Sequence, residues 1–194
     1  MTTEQIAEDA SELLGRLIEV ITDYPRDLSI RIRNMRGRAE FFVTPNINDQ
    51  GKVVGKHGSH IKALKLLIAQ IGERHGQQLV IRLEEDTNGE RLPDPVRKAA
   101  SPAYSCTAHK QLLNDVLAAI LDEAPAVAVD RDVTGGSTLY VFTIEAQRIQ
   151  DYERLVTPGV GEFEGQTVIS ALGTLFRAAG LRDGVGFKLE VPSR

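Results

Sequence analysis

Val53-Val54-Gly55-Lys56-His57-Gly58-Ser59-His60-Ile61 is the stretch on which the reading of this chain turns. Two glycines three residues apart stand between two apolar-periodic segments, and the second glycine opens a helix. That pattern predicts a tight helix-to-helix turn. The first N–H groups of the following helix lack internal partners, and with the helix dipole they form an anion site suited to a phosphate. Glycine matters because a Cβ would hold a nucleotide backbone at a distance. Lys56 and His57 fall at the exposed tip and Ser59 at the helix start. Val54 and Ile61 supply an apolar floor for bases, and Lys62 and Lys65 follow on the helix. A P-loop does not fit. Only three residues separate Gly51 from Gly55 where four are needed, and Lys56 is followed by His57 instead of Ser or Thr. An interhelix turn without a ligand would leave the clustered Lys56, Lys62 and Lys65 without a purpose.

The flanking sequence supplies the elements around this turn. Apolar residues recur at helical spacing from Glu4 to Ile21, and Asp23 and Pro25 end that helix. Leu28-Ser29-Ile30-Arg31-Ile32-Arg33 alternates apolar and basic, which predicts a half-buried strand with its arginines on the open face. Asn34–Arg38 reads as a hairpin turn with Gly37 at positive φ, and Ala39–Thr44 as the return strand. A short helix is expected over Asp49–Val54. A longer one follows, with Ile61, Leu64, Leu67, Ile68 and Ile71 on its buried stripe and Gly72 and Gly76 at its end. Leu79–Leu83 is a third strand. The order is α-β-β-α-α-β.

Residues 86–109 are polar and punctuated by Pro93, Pro95 and Pro102, and read as a linker. After them the pattern repeats. Leu13-Leu14-x-x-Leu17-Ile18-x-x-Ile21 is matched by Leu112-Leu113-x-x-Val116-Leu117-x-x-Ile120, at an offset of 99. Gly135-Gly136 supplies a second hairpin turn. Ile61, Ala63, Leu64 and Leu67 then match Ile169, Ala171, Leu172 and Leu175 at an offset of 108. Gly72, Arg74 and Gly76 fall on Gly180, Arg182 and Gly184. The growth in offset places an insertion near Asp151–Gly161. The same order of elements twice over favours duplication over two units that merely share generic patterning.

On these residues the chain resembles the KH domain, whose signature is a β-branched residue, then Ile or Val, then G-x-x-G-x-x-Ile. Here that is Val53-Val54-Gly55-Lys56-His57-Gly58-x-x-Ile61. The element order is that of the bacterial, type II arrangement. Leu13–Leu83 is similar to the small stand-alone KH proteins of the KhpA type, including the Tyr24-Pro25 turn. The resemblance implies binding of single-stranded RNA: the G-x-x-G loop clamps the backbone of about four nucleotides and the bases lie in an apolar groove. Gly55, Lys56, His57 and Gly58 are then the phosphate clamp, with Val54 and Ile61 in the groove. Arg31, Arg33, Arg36 and Arg38 lie outside the motif, and Arg36 and Arg38 join the expected RNA contacts on charge alone. The second half departs from the signature. At the 108 offset the clamp falls on Phe163-Glu164-Gly165-Gln166, where an acid replaces the lysine and a carboxylate would repel phosphate.

Composition sets the outer bounds. The 194 residues carry a net charge of −4, no tryptophan and one cysteine, Cys106, which cannot form an intramolecular disulfide and fits a reducing cytoplasm. No apolar run approaches the ~20 residues that span a bilayer, and the N-terminus lacks the pattern of a secretory signal. The mean charge hides an asymmetry: Arg26–Lys65 holds nine Lys or Arg against three acids, and Glu145–Glu164 five acids against two bases. No catalytic residue is expected, because Cys106 and His109 lie in the linker with no orienting acid. No cofactor or metal is expected either; His57, His60 and His75 make no metal set with Cys106 at any usual spacing. The expectation is therefore an α+β chain of tandem α-β-β-α-α-β, type II KH-like domains. Residues 1–85 carry an intact GxxG loop, 86–109 a linker, and 110–194 a degenerate KH-like domain that packs or binds another protein. The expected function is non-catalytic single-stranded RNA binding by a cytoplasmic regulatory or chaperone-like factor. The alternative is an assembly scaffold for which RNA is incidental.

Overall fold

Apolar residues at a spacing of three and four make Thr3–Glu19 a helix, α1, started by Thr2, whose side chain accepts from the Gln5 N–H at 3.2 Å. Its buried stripe is Ile6, Ala10, Leu14, Leu17 and Ile18. Strands β1 (Ser29–Met35) and β2 (Arg38–Thr44) pair antiparallel around Arg36-Gly37, where Gly37 has φ 73°. Helix α2 (Gln50–Val54) and helix α3 (Ser59–Arg74) follow, and β3 (Gln78–Leu83) runs parallel to β2, giving a sheet in the order β1-β2-β3. Ala39, Phe41, Val43, Leu79 and Ile81 are buried on one side of that sheet, and with Leu14, Leu64, Leu67 and Ile68 they form the core. Each fully buried Leu, Ile or Phe contributes about 1.5–3 kcal/mol. The computed structural model describes residues 2–85, 102–134 and 137–193, and the chain divides into two units, Met1–Val96 and Arg97–Arg194.

One glycine does a different job from the expected one. Gly72 sits inside α3, where a Cβ would lie 2.5 Å from the Gln77 carbonyl oxygen and 2.9 Å from Leu79 Cγ. It is there because β3 returns directly against the helix. Gly76, at φ 64°, is the residue that turns the chain.

The second unit repeats this plan with α4 (Pro102–Ile120), β4 (Ala126–Thr134), β5 (Ser137–Glu145), α5 (Ile149–Val156), α6 (Val168–Asp183) and β6 (Gly186–Glu190). Its sheet runs β4-β5-β6, again antiparallel then parallel. Helix α4 begins inside the stretch read as linker, so residues 102–109 are helical, and 86–101 lie outside the described residues, as does the Gly135-Gly136 turn. The two hairpins match in register at the offset of 99: Ser29 faces Thr44 as Ala128 faces Thr143. The helix–strand contact matches at 108, since a Cβ on Gly180 would lie 2.5 Å from the Val185 carbonyl oxygen. Between the two, the pairing has slipped. Leu79 lies beside Ala39, but its counterpart Phe187 lies beside Tyr140, the counterpart of Phe41. The slip is two residues, and because side chains alternate with period two Phe187 still faces the core.

A buried carboxylate ties the end of each unit's first helix to the short helix that follows its hairpin. Asp49, fully buried, accepts from the Asp23 N–H at 3.0 Å and the Tyr24 N–H at 2.7 Å, and Lys52 Nζ lies 2.7 Å from it and 2.5 Å from Asp23. In the second unit Asp151 accepts from the Asp122 N–H at 3.2 Å, and Arg154 reaches Asp122 at 3.5 Å and the Ile120 carbonyl oxygen at 3.2 Å. Asp49 and Asp151 are 102 residues apart. The insertion is thus split, part of it ahead of Asp151 and the larger part between Asp151 and α6.

Candidate nucleic-acid interface

Val54 ends α2 because Gly55 takes φ 73° and ψ 171°, a conformation all but restricted to glycine. Its N–H still donates to the Gly51 carbonyl at 2.9 Å. Lys56–Gly58 make one tight turn, closed by Gly58 N–H to the Gly55 carbonyl at 3.1 Å. His57 sits at φ 53° and Gly58 at φ 76°, both left-handed, and α3 starts at Ser59. Among the described residues no side chain caps α3 at this end. The Ser59 N–H closes on the Lys56 carbonyl, and Lys56 and His57, both exposed, flank a helix start whose dipole favours an anion.

His60 braces the turn from behind. Its Nδ1 lies 2.5 Å from the Lys52 carbonyl oxygen, so that nitrogen carries the proton and donates. A Cβ on Gly55 would come within 2.5 Å of the His60 ring. Lys52, counted among the basic residues of the sequence, is spent on Asp23 and Asp49. Burial, the largest single influence on its ammonium, opposes the charge, but the hydrogen bonds it donates to Asp23 and Asp49, with the charges of those carboxylates, outweigh it and raise its pKa above the ordinary lysine value. Neither role is visible as a motif. The one available signal was the i,i+3 spacing of Asp49 and Lys52 on a predicted helix.

The residues expected to contact RNA fall into two groups. Val54 and Ile61 are half-buried beside the turn, Ser59 is at the helix start, and Lys62 and Lys65 follow one turn apart on α3, Lys62 exposed. Arg36 and Arg38 do not join them. Gln78 N–H donates to the Gly37 carbonyl at 3.0 Å, which ties the hairpin tip to the start of β3, beyond the C-terminal end of α3. The sixteen residues of α3 span about 24 Å at 1.5 Å each, so these arginines stand at the far end of the unit from the Gly55–Gly58 turn. Arg38 is also paired with Glu40 at 2.5 Å. Charge in the sequence grouped them; the direction of the hairpin separates them. An open cleft of about 350 Å³, lined by Ala69, Glu73 and Gly76–Leu79, lies at that same far end.

The corresponding place in the second unit is built differently. The chain between α5 and α6 folds on itself, with Gly159 N–H donating to the Gln166 carbonyl at 2.7 Å and Gly161 and Gly165 at positive φ. It exposes Val160, Glu162 and Glu164. Thr167 and Ser170 cap α6 reciprocally: Ser170 N–H donates to Thr167 Oγ1 at 3.0 Å, and Thr167 N–H to Ser170 Oγ at 2.9 Å. The start of α6 thus has the side-chain cap that the start of α3 has not. His109 is buried in α4 with its ring 4.5 Å from Phe187 and 5.6 Å from Phe176, and burial pushes the Cys106 thiol up, against a smaller pull from Lys110. No helix among the described residues is long and apolar enough to cross a membrane.

Comparison with known proteins matches the part of the chain that carries the turn. The family described as "KhpA/KhpB, KH domain" matches residues 11–83. RNA-binding protein KhpA of Streptomyces coelicolor and that of Streptomyces lividans are each 35% identical over 63 residues, 32% of this chain and 80% of the relative. RNA-binding protein KhpA of Thermotoga maritima is 30% identical over 60 residues, 31% of this chain and 80% of the relative. Sequence, element order and the glycine turn agree, and the chain belongs to the KhpA/KhpB family of KH-domain proteins.

Proposed function

We propose that this protein binds single-stranded RNA, without catalysis, through the Gly55–Gly58 turn of its first unit. The observation that carries the reading is the uncapped start of α3 beside Lys56 and His57. Two phosphates can be held there by backbone N–H groups and the Lys56 ammonium, while unpaired bases rest on Val54 and Ile61. The names of the relatives, RNA-binding protein KhpA, support the same ligand. Affinity is modest and falls with salt, because one such unit contacts few phosphates. The protein acts in the cytoplasm as an RNA-associated regulatory or chaperone-like factor. Its second unit, a KH-like repeat without the clamp, contributes contacts to another protein.

The capping box of Thr167 and Ser170 and the acids Glu162 and Glu164 favour a second reading for that unit, and by extension for the chain: a scaffold in which RNA is incidental. One experiment separates the two. Fluorescence anisotropy with a labelled random single-stranded RNA compares the natural protein with the Lys56→Asp/His57→Asp variant at low and physiological salt, after circular dichroism on both. Binding that collapses in the variant supports the clamp. Equal binding by both, or binding by neither, transfers the function to the scaffold.

A further inference from the structure

The side of the first sheet turned away from its helices carries a charge that the clamp does not use. Arg31 and Arg33 on β1, Arg38 on β2 and Arg82 on β3 share that side, and Arg36 stands at the hairpin tip. Two carboxylates face them. Glu84 pairs with Arg31 at 2.6 Å, and Glu40, nearly buried, lies 2.5 Å from Arg38 and 3.5 Å from Arg82. Five guanidinium groups against two carboxylates leave an excess of positive charge. Among the described residues neither Arg33 nor Arg36 has a carboxylate partner, and both are exposed.

The second unit shows that the fold does not require this charge. At the hairpin offset of 99, Arg31 and Arg33 correspond to Asp130 and Asp132, both exposed. The same strand, in the same register, tolerates the opposite sign. Structural need is therefore a poor account of the arginines. A guanidinium presents a planar fork of donors that fits phosphate oxygens. The surface also carries an aromatic: the Arg31 guanidinium lies 5.7 Å from the centroid of the half-buried Phe42 ring.

We infer that the outer face of the first sheet, centred on Arg33 and Arg36, is a second, sequence-independent contact for the phosphate backbone of an RNA already held in the clamp. This rests on the RNA reading above. The clamp occupies one end of α3 and the hairpin tip lies beyond the other, so only a strand longer than the clamp can hold reaches both.

The test uses the full chain and labelled oligouridylate of two lengths, one of about four nucleotides, the length one clamp holds, and one several times longer. Anisotropy titrations at several salt concentrations compare the natural protein with Arg33→Glu/Arg36→Glu and the milder Arg33→Gln/Arg36→Gln, all checked by circular dichroism. For the long RNA, both variants lower the slope of log K against log salt by about 1.4, the loss of two single-strand phosphate contacts at about 0.7 each. The short RNA binds all three proteins alike. An unchanged slope on the long RNA overturns the second contact, and an equal loss on both lengths overturns it too, since the arginines would then act on the clamp. In either case the clamp stands if Lys56→Asp/His57→Asp still abolishes binding. A natural protein that binds neither length overturns the RNA reading itself, and this inference with it.

Discussion

Replacing Gly55 by alanine tests whether the turn is built as described. The new Cβ would lie 2.5 Å from His60 Cγ, and contact becomes ordinary only at 3.4 Å, so the ring must retreat by about 0.9 Å. That movement breaks the His60 hydrogen bond to the Lys52 carbonyl, a loss of about 1 kcal/mol. The backbone at φ 73°, ψ 171° adds about 1–3 kcal/mol of strain for any residue with a side chain. Gly58→Ala is the comparison. Its Cβ would meet nothing closer than Ile61 Cγ2 at 3.9 Å, which leaves only the left-handed cost of about 1–2 kcal/mol. Gly55→Ala is therefore expected to destabilise by about 3 kcal/mol and Gly58→Ala by about half of that. Chemical denaturation of both variants measures this directly. Adding His60→Ala to each completes a double-mutant cycle. Removing the ring relieves part of the Gly55→Ala penalty, giving a coupling of about 1 kcal/mol. The relief is incomplete, because the His60 backbone nitrogen also lies 2.8 Å from the new Cβ. Equal costs at the two glycines, or no coupling between Gly55 and His60, would refute the account.

His57→Gly releases a side chain held at φ 53°. It is expected to stabilise the first unit by up to about 1 kcal/mol while weakening RNA binding, so thermal melting and anisotropy should move in opposite directions. The raised pKa of Lys52 means that the folded state holds its proton more tightly than the unfolded chain. This stabilisation is fully present below about pH 10.4, is lost as pH climbs through the higher folded value, and should vanish from alkaline denaturation curves of Lys52→Met. In α6, Gly180→Ala is expected to cost about 1–3 kcal/mol by driving a Cβ against the Val185 carbonyl. Gly173→Ala, with nothing within 4 Å, should stabilise by about 0.5–1 kcal/mol.

Most of the first unit was legible because its signals are local. Alternation in Leu28–Arg33, the turn at Gly37 and the apolar stripe of Ile61–Ile71 each depend on neighbours a few residues away, and the strands and helices lie there. The tight turn at Gly55–Gly58 was legible for the same reason. What sequence could not supply is direction. Arg36 and Arg38 are close in number to Lys56, yet the hairpin carries them to the far end of α3. Gly72 was misread because its reason is the chain that comes back against it from Gln77 into β3. The start of α4 was hidden by Pro102, which reads as a loop residue although proline fits the first turn of a helix. The Asp49 and Asp151 pair was missed because part of the insertion precedes Asp151, so no single offset aligns it with its neighbours.

The two-residue slip of β6 along β5 shows how two units built on one plan can differ. Helix α6 and β6 have moved past the hairpin as one block, by about 6.6 Å at 3.3 Å per residue. A shift by a single residue would turn Phe187 and Leu189 to solvent and bring Lys188 into the core, so the odd register is closed. The loop from α5 to α6 can gain or lose residues singly, but strand pairing accepts the change only in even steps. Units on this plan can therefore differ in loop length by any number of residues, but in sheet register only by whole pleats.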